Sequence, residues 1–230
     1  MGDGEARGRA TALRVENLAY RYGKTEVFAG ASFALRAGEV AFLTGPNGAG
    51  KSTLLRCLAG WDAPSEGRVE LCGERFDGSN RSQRSQVAFV PDVPSFYDDL
   101  TAGEHLRFVR QANRLGAADD PSELLMERFG LGGQRDLLPS SYSRGMRQKL
   151  ALVLAFARLP RLILLDEPYG PLDPGASGVL SELVEEARAD GVAVLASCHH
   201  DVPNLAPDLL LHLEGGRLDV RGGGDGGVDA

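Results

Sequence analysis

Glycine, lysine and serine residues between positions 45 and 52 have types and spacing that suit phosphate chemistry. The segment has the pattern Gly-x-x-x-x-Gly-Lys-Ser, with a further glycine at position 48. Glycines allow the backbone to turn tightly and direct successive N–H groups at one anion. Lys51 can reach the terminal phosphates, and the Ser52 hydroxyl can bind Mg²⁺. The pattern therefore predicts a site for a nucleoside triphosphate and Mg²⁺.

The elements on either side of this loop support that interpretation. Val40 to Leu43 is a short apolar run with strand-forming residues, and leucines after Lys51 fall on one face of a helix. A helix that begins at Lys51 directs its positive end at the same anion. The alternative is a glycine-rich turn with an incidental lysine. A strand before the loop and a helix after it make that alternative unattractive.

Two carboxylates follow another apolar run. Leu162 to Leu165 predicts a strand of a parallel sheet that is buried on both faces, and Asp166 and Glu167 come directly after it. Ligands of such sheets lie at the carboxyl ends of the strands. Asp166 then suits Mg²⁺, and Glu167 suits a general base that takes a proton from water. Taken alone, the same residues could form an ordinary acidic turn.

A second phosphate-facing helix start is possible at Ser143. Ser143 is a good N-cap residue, and Gly145 leaves room for an anion. When the segment is considered alone, an ordinary capped amphipathic helix is the better explanation.

The remaining chain predicts an α/β fold with three parts. Strand-like runs at 13–22, 27–35 and 68–76 predict an antiparallel β-subdomain beside a mostly parallel sheet. Helical patterns predict an inserted α-helical subdomain at about 93–142. Residues 1–10 and 222–230 are predicted to be flexible tails around one domain, 11–221.

Composition excludes several classes of protein. The 230 residues carry a net charge of −7, which argues against a nucleic-acid partner. Three cysteines without CxxC spacing indicate neither a disulfide framework nor a structural zinc site. The sequence contains no apolar run of about 18 residues and no signal-peptide core, so we expect it to act from the water side of any membrane.

Taken together, these motifs resemble those of the ATP-binding subunits of ABC transporters, over nearly the whole chain. Gly45–Thr53 is similar to the Walker A motif, and Leu162–Pro168 to the Walker B motif with its adjoining glutamate. Tyr142–Gln148 resembles the signature motif, and Pro171–Pro174 the D-loop. Two further likenesses are Ser197–His199, similar to the switch-histidine segment, and Tyr22, placed where the family stacks an aromatic ring on adenine. Tyr22 suits a core aromatic equally well.

Two departures from the family pattern stand out. The signature segment has Arg144 and Met146 where glycine and glutamine are usual, although Ser143 and Gly145 are kept. Asp92 occupies the place of a glutamine; its carboxylate is shorter and charged, and we expect it to meet Mg²⁺ or water. Similar departures occur in export-type members, which favours an exporter.

The resemblance implies a P-loop NTPase core that binds ATP and Mg²⁺ and hydrolyses ATP in a head-to-tail dimer. It implies a homodimer or a pair with a related subunit, a separate integral membrane subunit, and a location at the cytoplasmic face of the membrane. Phe96, Tyr97 and Leu100 are candidate docking residues, and they suit burial under the helical insertion equally well. A soluble ABC-type ATPase without a transport role and a simple P-loop kinase are the alternatives.

The resemblance also implies a set of site residues. The expected catalytic residues are Lys51, Glu167 and His199, and the expected metal ligands are Ser52, Asp92 and Asp166. The expected nucleotide contacts are Tyr22, Gly45, Pro46, Asn47, Gly48, Ala49, Gly50, Lys51, Ser52, Thr53, Ser143 and Gly145.

Overall fold

Two β-sheets form the framework of the computed structural model, which describes residues 10–116, 120–198, 202 and 204–222. The strands are β1 (Thr11–Tyr22), β2 (Thr25–Arg36), β3 (Val40–Thr44), β4 (Glu66–Leu71), β5 (Glu74–Arg75), β6 (Val87–Val90), β7 (Leu162–Leu165), β8 (Ala193–Ser197), β9 (Leu209–Glu214) and β10 (Arg217–Arg221). The helices are α1 (Lys51–Leu58), α2 (Arg81–Arg84), α3 (Ala102–Asn113), α4 (Ser122–Arg128), α5 (Arg144–Phe156) and α6 (Pro174–Ala189), with 3-10 turns at Gly132–Gln134 and Pro139–Ser141.

The larger sheet has six strands in the order β10-β9-β3-β8-β7-β6. All of its pairings are parallel except that of the edge strand β10 with β9. Every residue of β7 and β8 is buried, as expected for parallel strands that are covered on both faces. The smaller sheet is antiparallel, with the order β2-β1-β4-β5. The predicted α/β architecture with an antiparallel subdomain is therefore confirmed.

Alternate residues of the parallel strands contribute to two separate cores. Ile163 and Leu165 pack with helices α3 to α6, whereas Leu162 and Leu164 pack with α1 and the antiparallel sheet. The same alternation holds in β8. Because neighbouring side chains of a strand point to opposite faces, a shift of one residue would exchange the two sets. The two cores together fix the register of the sheet.

Local capping signals determine where the helices begin. Thr101 and Glu104 form a reciprocal capping box at α3, as the sequence predicts, and Ser143 caps α5. Asp173 caps α6 through the N–H of Ala176, and its other oxygen accepts from Lys149 of α5 at 2.7 Å. The segment from Asp120 to Glu123 predicts a helix with proline at its first helical position. The proline at 121 lies just before the helix instead.

Three further expectations from the sequence concern disulfides, a structural zinc site and a membrane-spanning segment. All three cysteines are free, and burial raises the pKa of Cys57 and of Cys198 to about 12. Within the described residues, histidine, cysteine and carboxylate side chains do not form a cluster of three that could bind a metal ion. The helices of the described segments are too short or too polar to cross a bilayer.

Because two cores cover the large sheet, we expect the same truncation to lower the free energy of unfolding by different amounts at a buried and at an exposed position. Leu195 of β8 is fully buried, whereas Leu210 of β9 is 43% exposed. Leu195→Ala should lower the free energy of unfolding by about 2–5 kcal/mol, because it leaves a cavity between close-packed layers. Leu210→Ala is the matched control and should cost about 1 kcal/mol or less. Urea unfolding followed by circular dichroism measures both, and equal costs would contradict this description of the core.

Candidate active site

The loop between β3 and α1 is a backbone cradle that only glycine can form at its start. Gly45 has φ 140°, and a Cβ there would lie 2.1 Å from the carbonyl oxygen of Leu213 in β9. The loop then passes through an exposed segment, Pro46 to Gly48. Helix α1 begins without a side-chain cap, so its first N–H groups remain available to a ligand. This geometry fits the phosphates of a nucleotide.

Lys51 is folded back into the same loop. Its side chain is 5% exposed, and Nζ donates hydrogen bonds to the carbonyl oxygens of Gly45 (2.9 Å) and Pro46 (3.3 Å). The Oε1 atom of Glu167 lies 3.8 Å from Nζ. The ammonium group therefore lies at the floor of the cradle, next to the carboxylate that the sequence predicts to be the base. Phosphate oxygens are stronger acceptors than carbonyl groups, so the lysine suits an anionic ligand.

Asp166 and Glu167 follow β7 and are bridged by Ser197 at the end of β8. The Ser197 hydroxyl donates to Asp166 Oδ1 at 2.7 Å and accepts from the Glu167 N–H at 2.8 Å. Asp166 is 3% exposed, and Glu167 has the left-handed φ of 49°. In the sequence, Ser197 belongs to the segment that resembles the switch-histidine motif, without a role of its own. A polar residue at the end of a buried strand was the available signal.

The three predicted metal ligands, Ser52, Asp92 and Asp166, line one cavity of about 500 Å³. Hydroxyl and carboxylate oxygens suit Mg²⁺, and such an ion usually takes its remaining ligands from water and phosphate. These residues therefore fit Mg²⁺. Asp92 also has another partner: its Oδ1 accepts from Arg144 Nη2 at 3.2 Å. Two of the three unusual residues of the motifs, Asp92 and Arg144, are thus paired with each other.

The second predicted phosphate-binding element lies at the start of α5. Ser143 is exposed, and its hydroxyl accepts from the N–H of Met146 at 3.2 Å. A Cβ on Gly145 would lie 2.9 Å from the carbonyl oxygen of Pro171, so α5 begins directly against the segment before α6. This helix tip does not contact Lys51 or Glu167 in any hydrogen bond or ion pair between described residues.

Two predicted site residues remain, Tyr22 and His199. Tyr22 ends β1 and is 75% exposed, so the alternative that it is a core aromatic is wrong. Its ring lies 6.5 Å from that of Tyr20 and is open to a ligand, and its contact with adenine stays a prediction. His199 lies outside the described residues.

The motifs and their geometry match a known family. The family model described as ABC transporter matches residues 28–170. The chain belongs to the ABC transporter family. Within that family it is an ATP-binding subunit and an ATPase. ABC ATPase domains bind ATP, generally with Mg²⁺, and such subunits pair with membrane transporter subunits.

Individual relatives support this assignment. The chain is 35% identical over 189 residues to the ABC-type transporter ATP-binding protein EcsA of Bacillus subtilis, covering 81% of this chain and 76% of that protein. It is 35% identical over 221 residues to the lipoprotein-releasing system ATP-binding protein LolD of Gluconobacter oxydans, covering 91% and 96%. A solved structure of an ATP-binding subunit of an ABC transporter superposes with a TM-score of 0.85 at 34% identity, covering 92% of this chain and 90% of that chain.

Ser197 provides a test of the site in this ABC ATPase. Ser197→Ala removes the hydroxyl that holds the Asp166 carboxylate and the backbone N–H of Glu167, and losses of such supporting groups typically cost about 10–100-fold in activity. We expect kcat for ATP hydrolysis to fall within that range, with an unfolding midpoint close to that of the parent. Ser82→Ala, on the exposed helix α2, is the matched control. Unchanged turnover in Ser197→Ala would show that the bridge does not matter for catalysis.

Proposed function

We propose that this ATP-binding subunit hydrolyses ATP in a head-to-tail pair and thereby drives export through a separate integral membrane subunit. The pair consists of two copies or of this chain and a related ATP-binding subunit, at the cytoplasmic face of the membrane. One observation carries the proposal: the chain has two open elements suited to phosphate, the cradle at 45–53 and the tip of α5 at 143–145.

The exposure of these elements supports a pair. The outer part of the cradle, Pro46 to Gly48, is exposed to solvent, and so is Ser143 at the other tip. A single cradle covers one side of a triphosphate and leaves the other side to water. Two copies related by a two-fold axis cover both nucleotides, because each α5 tip then lies over its partner's cradle. Hydrolysis removes the charges that hold the two together.

Within each half, the residues have distinct roles. Lys51 neutralises phosphate charge from the floor of the cradle, and Glu167 accepts a proton from the attacking water. His199 is assigned the role of the switch residue from its place in the sequence. Ser52, Asp92 and Asp166 hold the divalent ion, whose chemical contribution is to neutralise charge on the terminal phosphates. Tyr22 stacks on adenine.

Relatives named for export support the direction of transport. The chain is 33% identical over 219 residues to the Nod factor export ATP-binding protein I of Ralstonia nicotianae. It is 30% identical over 198 residues to the cytochrome c biogenesis ATP-binding export protein CcmA of Mannheimia succiniciproducens. The Asp92 and Arg144 departures point the same way.

Glu167→Gln tests the base and the pair together. The amide keeps the size of the side chain but cannot accept the proton, and general-base catalysis contributes roughly 10²–10⁴-fold. We expect phosphate release to fall by about that factor while ATP-dependent dimers accumulate. Phosphate assays and analytical ultracentrifugation measure the two effects.

The same experiment separates the two claims. Normal turnover in Glu167→Gln would reject Glu167 as the base. A variant that is inactive but stays monomeric at high concentration with saturating ATP and Mg²⁺ would reject the head-to-tail pair. Glu127→Gln, on helix α4, is the control for removal of one carboxylate elsewhere.

The membrane subunit is proposed to dock in the cavity beside the metal ligands. Trp61 is 62% exposed at its wall and lies edge-on to Phe89, with ring centroids 4.8 Å apart. Phe96 also lines the cavity and is partly buried against the core, whereas Tyr97 is 56% exposed and stacks on His105. An exposed aromatic wall of this kind suits the apolar side chains of a partner.

Arg158 indicates that the docking segment of the membrane subunit carries a negative charge. It lines the cavity, and its Nη2 donates to the carbonyl oxygen of Arg84 at 3.0 Å. Its Nε is buried without a hydrogen-bond partner, and no carboxylate in the described segments forms an ion pair with the guanidinium. Burial lowers the pKa of Arg158. A docking segment that carries a carboxylate next to an apolar side chain would satisfy this group.

Trp61 is the only tryptophan of the sequence and reports on this cavity directly. We expect the chain to co-purify with an integral membrane protein from the membranes of its source, and the Trp61 emission of the complex to shift to shorter wavelength. Arg158→Gln should reduce recovery of that membrane protein by about tenfold, the effect of losing one charge-assisted contact.

Arg161→Gln, a neighbouring exposed arginine, is the matched control and should leave recovery unchanged. Equal recovery with Arg158→Gln would remove the arginine from the docking surface. A complex in which the Trp61 emission stays that of an exposed indole would place docking elsewhere. Isolation of the chain without any membrane protein would favour the soluble ATPase.

A further inference from the structure

Two of the residues that depart from the family motifs, Asp92 and Arg144, form an ion pair with each other. Asp92 follows β6, and Arg144 is the first residue of α5, so the pair links segments 52 positions apart. The side chains are 46% and 68% exposed, so the contact is open to solvent and screened by salt. A pair of this kind breaks easily when either group gains a better partner.

Asp92 and Arg144 both lie in elements that are predicted to face a nucleotide, which would offer each of them a better partner. Asp92 lines the cavity with Ser52 and Asp166, and Arg144 lies between Ser143 and Gly145 at the tip of α5. A guanidinium binds phosphate oxygens through two parallel hydrogen bonds, which is a stronger arrangement than an exposed contact with one carboxylate oxygen. A bound triphosphate also repels Asp92 and attracts Arg144.

We propose that Arg144 is a nucleotide-contacting residue supplied in trans. In the free protomer it is held by Asp92, and when two protomers close it leaves Asp92 and binds a terminal phosphate oxygen of the partner's ATP. The exchange releases the Asp92 carboxylate toward the metal ligands of its own protomer. This inference rests on the proposed head-to-tail pair and deepens it, because it makes closure depend on breaking one ion pair.

If Arg144 exchanges Asp92 for phosphate, substitutions of the two residues should change the dimer dissociation constant in opposite directions. If the ion pair is only a static brace, both substitutions should weaken the dimer. In a Glu167→Gln background with ATP and Mg²⁺, Arg144→Ala should raise the dimer dissociation constant at least tenfold, since the phosphate loses a donor. Asp92→Asn should lower it a few-fold, since Arg144 is released in advance. In the double variant, Asp92→Asn should have no effect beyond that of Arg144→Ala. Analytical ultracentrifugation gives these constants, and titration of the dilute protomer with ATP separates any change in nucleotide affinity.

Arg107→Ala is the matched control. Arg107 belongs to α3, pairs with Glu104 at 3.7 Å and has a side-chain exposure of 58%. It should leave the dimer constant unchanged. Weakening of the dimer by both Arg144→Ala and Asp92→Asn would make the pair a static brace, and no effect of Arg144→Ala would remove Arg144 from the nucleotide; either result overturns the exchange. If the Glu167→Gln parent itself does not dimerise, the head-to-tail pair fails, and the inference fails with it.

Discussion

The in-register parallel pairing of β3, β8, β7 and β6 determines where the predicted site residues that follow these strands lie. Leu43 lies opposite Ser197, and Leu165 lies opposite both Ala196 and Val90. The chain therefore leaves these strands at one edge, where the cradle, the two carboxylates and the Asp92 segment follow. Because both faces of the strands are buried in separate cores, a slip of register would disrupt both cores at once.

Strong local signals made most of this fold predictable, and the missed elements lacked them. Helix α2 is a single turn of four residues capped by Asn80, too short for a periodic pattern. Strand β10 pairs with β9 across two glycines, which is a hairpin signal, but four of its five residues are exposed. Without a buried face, it shows no alternation that would identify a strand. Its stability comes from pairing, which is a tertiary property.

Motif spacing predicts which residues belong to the site but not how they contact each other. Motif spacing identified Asp166 and Glu167, yet their link through Ser197 depends on β8 lying next to β7. The Tyr22 side chain was ambiguous because strand alternation permits a buried ring. It is exposed because β1 ends there and the chain turns at Gly23, beyond the reach of the core. Contacts of this kind require the packing of separate elements, which one-dimensional patterns do not encode.

The electrostatics of the site predict that nucleotide binding rearranges its periphery rather than the sheet. Two carboxylates, Glu167 and Asp92, are each matched by one cation, Lys51 and Arg144. A triphosphate competes for both cations and repels both carboxylates, so neither pair keeps its present strength once phosphate is bound. Lys51 is buried in a loop that its own hydrogen bonds hold, and the strand before the loop, Val40 to Leu43, is buried in the close-packed core. Arg144 is two-thirds exposed on a helix tip, so the rearrangement there costs the least.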